Sequence, residues 1–121
     1  MKTLRMLAML AAFSAAVATA EQATVEGWVI DSACTYSKNL SQPKSVACAK
    51  SCARAGSPLV ILADDKTVLL PIENAVPAHG QNAKLMKFAG QRVKVSGEIF
   101  EHGGSKAIAI DKIELAKKYI Y

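Results

Sequence analysis

Between residues 24 and 115, apolar positions come in short runs whose spacing switches between two and about 3.6, and each switch predicts a new element. From Thr24, VEGWVIDSA is rich in β-branched and aromatic residues and predicts a first strand, with a bend or bulge at Gly27. PLVILAD and TVLLPI are apolar runs on either side of Asp64, Asp65 and Lys66, which predicts a β-hairpin whose second strand ends at or soon after Pro71. The turn-rich ENAVPAHG leads into QNAKLMKFAG. There Ala83, Leu85, Met86 and Ala89 share one side of a short helix, and Gly90 is placed to end it. QRVKVSGEIF alternates, with Val93, Val95 and Ile99 on one face and Arg92, Lys94, Ser96 and Glu98 on the other, as in a half-buried strand. After the turn EHGGS, KAIAIDKIEL supplies its partner, with Ile108 and Ile110 inside. Ile113 breaks that parity and predicts a bulge near Asp111.

The expected order is strand, cysteine-bearing insertion, strand, strand, short helix, strand, strand. A mainly β chain with five strands and a helix between the third and fourth matches an OB-fold-like five-stranded barrel, a small Greek-key closure. The insertion follows strand 1.

The first twenty residues change how the rest is read. MKTLRMLAMLAAFSAAVATA places Lys2 and Arg5 ahead of an apolar run from Met6 to Val17 and ends in Ala18, Thr19 and Ala20. That is the pattern of a secretory signal peptide with an A-x-A cleavage site, and the run is shorter than the roughly 20 residues a spanning helix needs. The expectation is a signal peptide at 1–20, one domain at 21–121, no membrane anchor after cleavage and a periplasmic or secreted location. Removal of Lys2 and Arg5 lowers the formal net charge from +5 to +3. No run of Lys and Arg interleaves with aromatic residues, so nucleic acid is not an expected partner. Scattered lysines such as Lys84, Lys87, Lys94, Lys112, Lys117 and Lys118 read as a solvated surface.

All three cysteines lie in DSACTYSKNLSQPKSVACAKSCARAGSP, residues 31–58. Pro43, then KSVACAKSCARA, then Gly56 and Pro58 supply the start and stop signals of a short helix. Cys48 and Cys52 then fall at i and i+4 on one face, with Ala55 continuing the stripe, and Cys34 falls at the end of the first strand. Residues four apart on a helix have Cβ atoms about 5 to 6 Å apart, whereas a disulfide needs about 3.5 to 4.5 Å. A bond between Cys48 and Cys52 would distort the helix, so Cys34 is the expected partner of Cys48 or Cys52. Closing that loop of about 15 to 19 residues is worth about 3 kcal/mol in the chain-entropy model, and an oxidising compartment favours it. One thiol is left over. The alternative is a soft metal site of three thiolates, Cys34, Cys48 and Cys52, suited to copper or zinc. A zinc site would ordinarily take a fourth ligand, and the histidines, His79 and His102, fall in distant turns. Redox chemistry is a further alternative, although its usual spacing is C-x-x-C and this chain has C-x-x-x-C.

Other residues carry weaker signals. His79 and His102 read as exposed turn residues. Asp31 is placed to cap or hydrogen-bond the turn that follows it. Trp28 reads as core or as a groove wall. Asn39, Leu40 and Ser41 form an N-x-S sequon that matters only in a glycosylating host. The chain contains no Ser/His/Asp set, paired-carboxylate constellation, phosphate loop or dinucleotide fingerprint.

The segments GWVIDSAC, CAKSCARAGSPLVIL and GQRVKVSGEI resemble an uncharacterised family of small exported bacterial proteins, over most of the chain after residue 20. The resemblance implies an exported OB-fold-like domain and no established activity. Cys34, Cys48 and Cys52 occupy the family-like cysteine positions. Lys44 stands where a histidine four residues before the first helical cysteine would be expected, which weighs against a Cys/His metal site.

The expectation is therefore a non-enzymatic exported binding module for a small ligand or a protein partner. In an OB-fold the loops after strands 1 and 4 border the ligand groove. That places the groove between the insertion at 32–57 and the turn from Glu101 to Ser105, with Trp28, His102, Gly103 and Gly104 as candidate lining.

Overall fold

A computed structural model of the chain describes residues 20–117. The expected signal peptide at 1–20 therefore lies outside the described residues except for Ala20. Among the described residues no helix is long and apolar enough to cross a membrane.

Five strands close into a barrel: β1 (Glu21–Asp31), β2 (Leu59–Ala63), β3 (Val68–Ile72), β4 (Arg92–His102) and β5 (Ser105–Leu115). Their order around the barrel is β1-β2-β3-β5-β4, and β4 returns to β1. All neighbours are antiparallel except β3 and β5, which run parallel from Leu69↔Lys106 to Ile72↔Ala109. This is the OB-fold-like closure that the order of elements predicts.

Strand β1 closes the ring by serving two partners. Its residues from Glu21 to Trp28 pair with β4, and those from Gly27 to Asp31 pair with β2. Gly27 lies in the overlap. A Cβ there would collide with the Leu62 carbonyl. The expected bend is thus a close backbone approach, with continuous register and no bulge. Gly97 is the counterpart on β4, where a Cβ would strike the Ala109 carbonyl.

The bulge expected on β5 is present. Ser96 pairs with Lys112 but Gly97 pairs with Ile110, so Asp111 is the extra residue. Skipping it brings Ile113, like Ile108 and Ile110, against the core.

Inside the barrel, Val29, Ile61, Leu69, Val93, Val95 and Ile108 pack together. Strand β2 is buried at every position because its two faces have different covers. Leu59 and Ile61 join the interior, whereas Val60 and Leu62 join Ile30 in a second cluster that takes in Trp28, Cys34 and Leu40. The first part of the insertion, with Cys34 and Leu40, therefore lies over the outside of β1 and β2, whereas Ala49 and Ala53 from its second part pack with the interior cluster.

Among the described residues, three short helices complete the fold. Between β1 and β2 are α1 (Ser32–Tyr36) and α2 (Val46–Arg54); α3 (Asn82–Leu85) runs into a 3-10 turn, Met86–Phe88. Leu85, Phe88 and Ala89 fill the core from that segment. Ala83, expected on the same side, is exposed, because the α-helix gives way to a 3-10 turn after one turn and the 3.6-residue stripe does not persist. Gly90 ends the segment at φ +79°, pressed against the backbone of Val46.

Candidate functional site

Strand 1 ends two residues earlier than its composition predicts, and Asp31 is the reason. Its Oδ1 accepts a hydrogen bond from the Cys34 amide at 2.9 Å, while the Thr35 hydroxyl donates to the Asp31 carbonyl at 3.0 Å. These bonds cap a single helical turn. Cys34 therefore sits in α1, not at the end of the strand, and the capping role read for Asp31 holds.

Helix α2 also starts later than Pro43 suggests. Ser45 is its cap, accepting from the Cys48 amide at 3.0 Å, and Gly56 follows its end at φ +101°. Ala49 and Ala53 are the buried stripe. Cys48 and Cys52 flank that stripe and are half-buried, whereas Ala55 is exposed and does not continue it.

The β1–β2 register then brings the two helices together. Asp31 pairs with Leu59, and the Ser32 amide donates to the Pro58 carbonyl at 2.9 Å. One step further, the Ser57 amide donates to the Cys52 carbonyl at 3.1 Å. Asn82 of α3 ties down the same exit, donating to the Ser57 carbonyl at 2.8 Å and accepting from the Leu59 amide at 2.9 Å. Cys52, in the last turn of α2, is thus anchored beside the start of α1, and Cys48 lies a turn further away.

All three cysteines are free thiols, and none is at disulfide-bonding distance of another. They nevertheless act on one another. Burial, then the charge of Asp31, then that of Cys52 push the Cys34 thiol upward, with Cys48 the smallest contributor. Burial, Asp31 and Cys48 push Cys52 upward, while a hydrogen bond with Cys34 works in the opposite direction. Among the described residues no group of three or more His, Cys, Asp or Glu side chains is disposed to hold a metal ion.

The strongest anomaly is Asp31 itself. It is 2% exposed, and its Oδ2 has no hydrogen-bond partner. A buried carboxylate oxygen without a donor is costly and calls for an explanation.

A groove of about 740 Å³ borders this segment. Ser32, Tyr36 and Pro58 form one wall, Val60, Val68 and Leu70 the floor, and Phe100, His102 and Lys106 the other wall. It lies between the β1–β2 insertion and the β4–β5 turn, where OB-folds bind ligands. Tyr36 is 70% exposed and Leu70 47%, an unusual investment of large apolar side chains at a surface.

Of the four lining candidates, His102 and Gly104 border this groove, Gly103 sits in the turn between them, and Trp28 lies elsewhere. Trp28 pairs across strands with Arg92 of β4, whose guanidinium lies 5.5 Å from the indole centre. It borders a separate cleft with Val46, Gly90 and Leu115. Trp28 packs with Val60 in the outer cluster, but its exposed part borders the cleft on the β4 side. His79 stays in the distant β3–α3 link, with Nδ1 2.7 Å from Glu73. Tyr36, Leu70 and Phe100 were not picked out from the sequence. The available signal was Leu70, an apolar residue on the outward parity of a strand whose Leu69 and Pro71 are buried.

No protein-family model, curated protein or solved structure matches the chain.

Proposed function

We propose that this protein is an exported, non-enzymatic binding module, periplasmic or secreted, that takes an apolar ligand or partner segment in the groove between the insertion and the β4–β5 turn. The observation that carries this reading is the exposure of Tyr36 and Leu70 along a concave, mostly apolar surface at the position OB-folds use. Lys106 and His102 on one wall favour an anionic group on the ligand. A disulfide from Cys34 to Cys48 or Cys52, formed after export, would tie the groove's insertion wall to the barrel.

The dye 1-anilinonaphthalene-8-sulfonate, apolar with one anionic group, is a direct probe. The folded protein is expected to enhance its fluorescence, and Leu70→Asp is expected to abolish the enhancement with the melting temperature kept. Equal enhancement by both proteins would sink the groove reading.

Copper or zinc on Cys34, Cys48 and Cys52 is the competing reading, drawn from the soft chemistry of three free thiols on neighbouring elements. Intact mass after alkylation of protein purified without reductant separates the two. One alkylatable thiol supports the disulfide; three, with stoichiometric metal before denaturation, overturn it.

A further inference from the structure

We propose that Cys34 and Cys52 form a reversible thiol–disulfide exchange pair, with an external dialkyl disulfide as co-reactant and the buried Asp31 carboxylate as acceptor of the Cys34 proton. The proposal deepens the disulfide part of the reading above. It names the pair, makes the bond exchangeable and gives Asp31 a role beyond capping.

Three observations converge. The first is the pairing geometry. The Asp31↔Leu59 register and the bonds from Ser32 to Pro58 and from Ser57 to Cys52 set the last turn of α2 beside α1. The second is access: both cysteines are half-buried, open enough for a disulfide to reach. The third is the Asp31 Oδ2, buried and unpartnered, on the same carboxylate whose Oδ1 holds the Cys34 amide. A helix cap needs one oxygen. The second is free to receive the adjacent thiol's proton, and after burial the charge of Asp31 is the largest influence holding that thiol protonated. The titratable groups facing Cys34 are Asp31 from β1 and Cys52 and Cys48 from α2.

The chemistry balances as follows. Cys52 loses its proton to solvent and attacks one sulfur of the external disulfide, giving a mixed disulfide and one thiolate, which is protonated. Cys34 passes its proton to Oδ2 of Asp31 and attacks Sγ of Cys52, forming the Cys34–Cys52 bond. The second external thiolate leaves and takes up a proton. Two protein thiols are oxidised to one disulfide, and the external disulfide is reduced to two thiols. Cys48 is left as the free thiol.

Asp31 then releases that proton to solvent and is left as a carboxylate beside a disulfide that has no proton to donate, whereas reduced Cys34 has one, so Asp31 favours the reduced form. An uncompensated buried charge of this kind shifts such an equilibrium by about tenfold. The bond is therefore easily reduced compared with an ordinary structural disulfide.

The test is equilibration of the full protein with oxidised and reduced glutathione, followed by acid quench, alkylation and peptide mapping. The expected product links Cys34 to Cys52 with Cys48 alkylated. Asp31→Asn keeps a good cap and is expected to move the equilibrium about tenfold towards the disulfide. It is also expected to move the alkylation midpoint of Cys34 to lower pH, which a purely capping role would not do. Should Asp31→Asn fail to fold, Asp31→Ser keeps the cap and carries the same expectations. A Cys34–Cys48 product, or an equilibrium unchanged within about twofold in the Asp31 variant, overturns the proposal. A disulfide that forms but resists glutathione also overturns it, while leaving the structural tie intact. Dye binding to the reduced protein reports on the groove independently.

Discussion

The barrel interior and the cysteine-bearing insertion are held by different forces. Inside the barrel, Val29, Ile61, Val93, Val95 and Ile108 are fully buried, and each such side chain contributes about 1.5 to 3 kcal/mol by leaving water. In the insertion, Thr35, Ala49 and Ala53 are the buried residues. Alanines and one threonine bury little area. Beside the modest packing of Ala49, Ala53, Cys34 and Leu40, what positions that segment is a set of single hydrogen bonds: the Asp31 and Ser45 caps, the Ser32–Pro58 bond and the Asn82 tether. The barrel can lose one contact and remain a barrel. The insertion has no such reserve, and the free thiols and the unpartnered carboxylate oxygen all lie at its root. A segment held by few, specific polar contacts is the natural place for a site that must change state.

This contrast can be broken at several points. The largest effect is expected in the interior, where Ile108→Ala should cost about 2 to 5 kcal/mol in denaturant unfolding. A cost below about 1 kcal/mol would mean that the interior is not the main source of stability. Asn82→Ala should cost about 1 to 3 kcal/mol, because it strips partners from the Leu59 amide and the Ser57 carbonyl at once. Amide hydrogen exchange should then rise across residues 46–58 while β4 and β5 stay protected. Uniform loss of protection would show that the insertion and the barrel are one cooperative unit. Ser45→Ala should cost about 1 kcal/mol through loss of the α2 cap. Ser45→Asp should recover most of that loss in the same thermal melt.

The smallest effect is electrostatic. Arg92 makes two bonds to Asp64, at 2.8 and 2.9 Å. The hydrogen bond from Arg92 holds the Asp64 carboxyl below its ordinary value, against the opposing effect of burial. A carboxyl lowered in the folded state adds stability that is complete above its unfolded value and is lost as pH falls through the folded one. The pair is largely exposed and should contribute less than about 1 kcal/mol. Melting temperatures of wild type and Asp64→Asn should differ slightly at neutral pH and converge as pH falls below the ordinary carboxylate range. A gap that persists in acid would assign the effect to packing of Arg92 on Trp28.

The strands were legible because alternation and turn chemistry are local. Val93, Val95 and Ile99 mark the inner face of β4 without reference to anything else, and the parity break at Ile113 locates the bulge at Asp111. The short helices were less so. Pro43 suggested a start for α2 that Ser45 sets, and Cys34 was assigned to a strand although the Asp31 side chain turns the chain into α1. Both errors come from side-chain caps, which act over three residues and leave composition unchanged. The groove was harder still. Tyr36, Leu70 and Phe100 are far apart in the chain, and the parallel pairing of β3 with β5 is what brings their elements to one side.

The sequence by itself determined the succession of strands along the chain, the inward faces of β4 and β5, the bulge and the place of the insertion, because those depend on period and on local backbone preference. Tertiary structure alone decided that the end of α2 carrying Cys52 is tied beside the strand end that leads into α1, that Trp28 and His102 border different clefts, and that one oxygen of Asp31 is buried without a partner. Each depends on which distant segments the closed barrel holds side by side, and spacing along the chain carries no record of that.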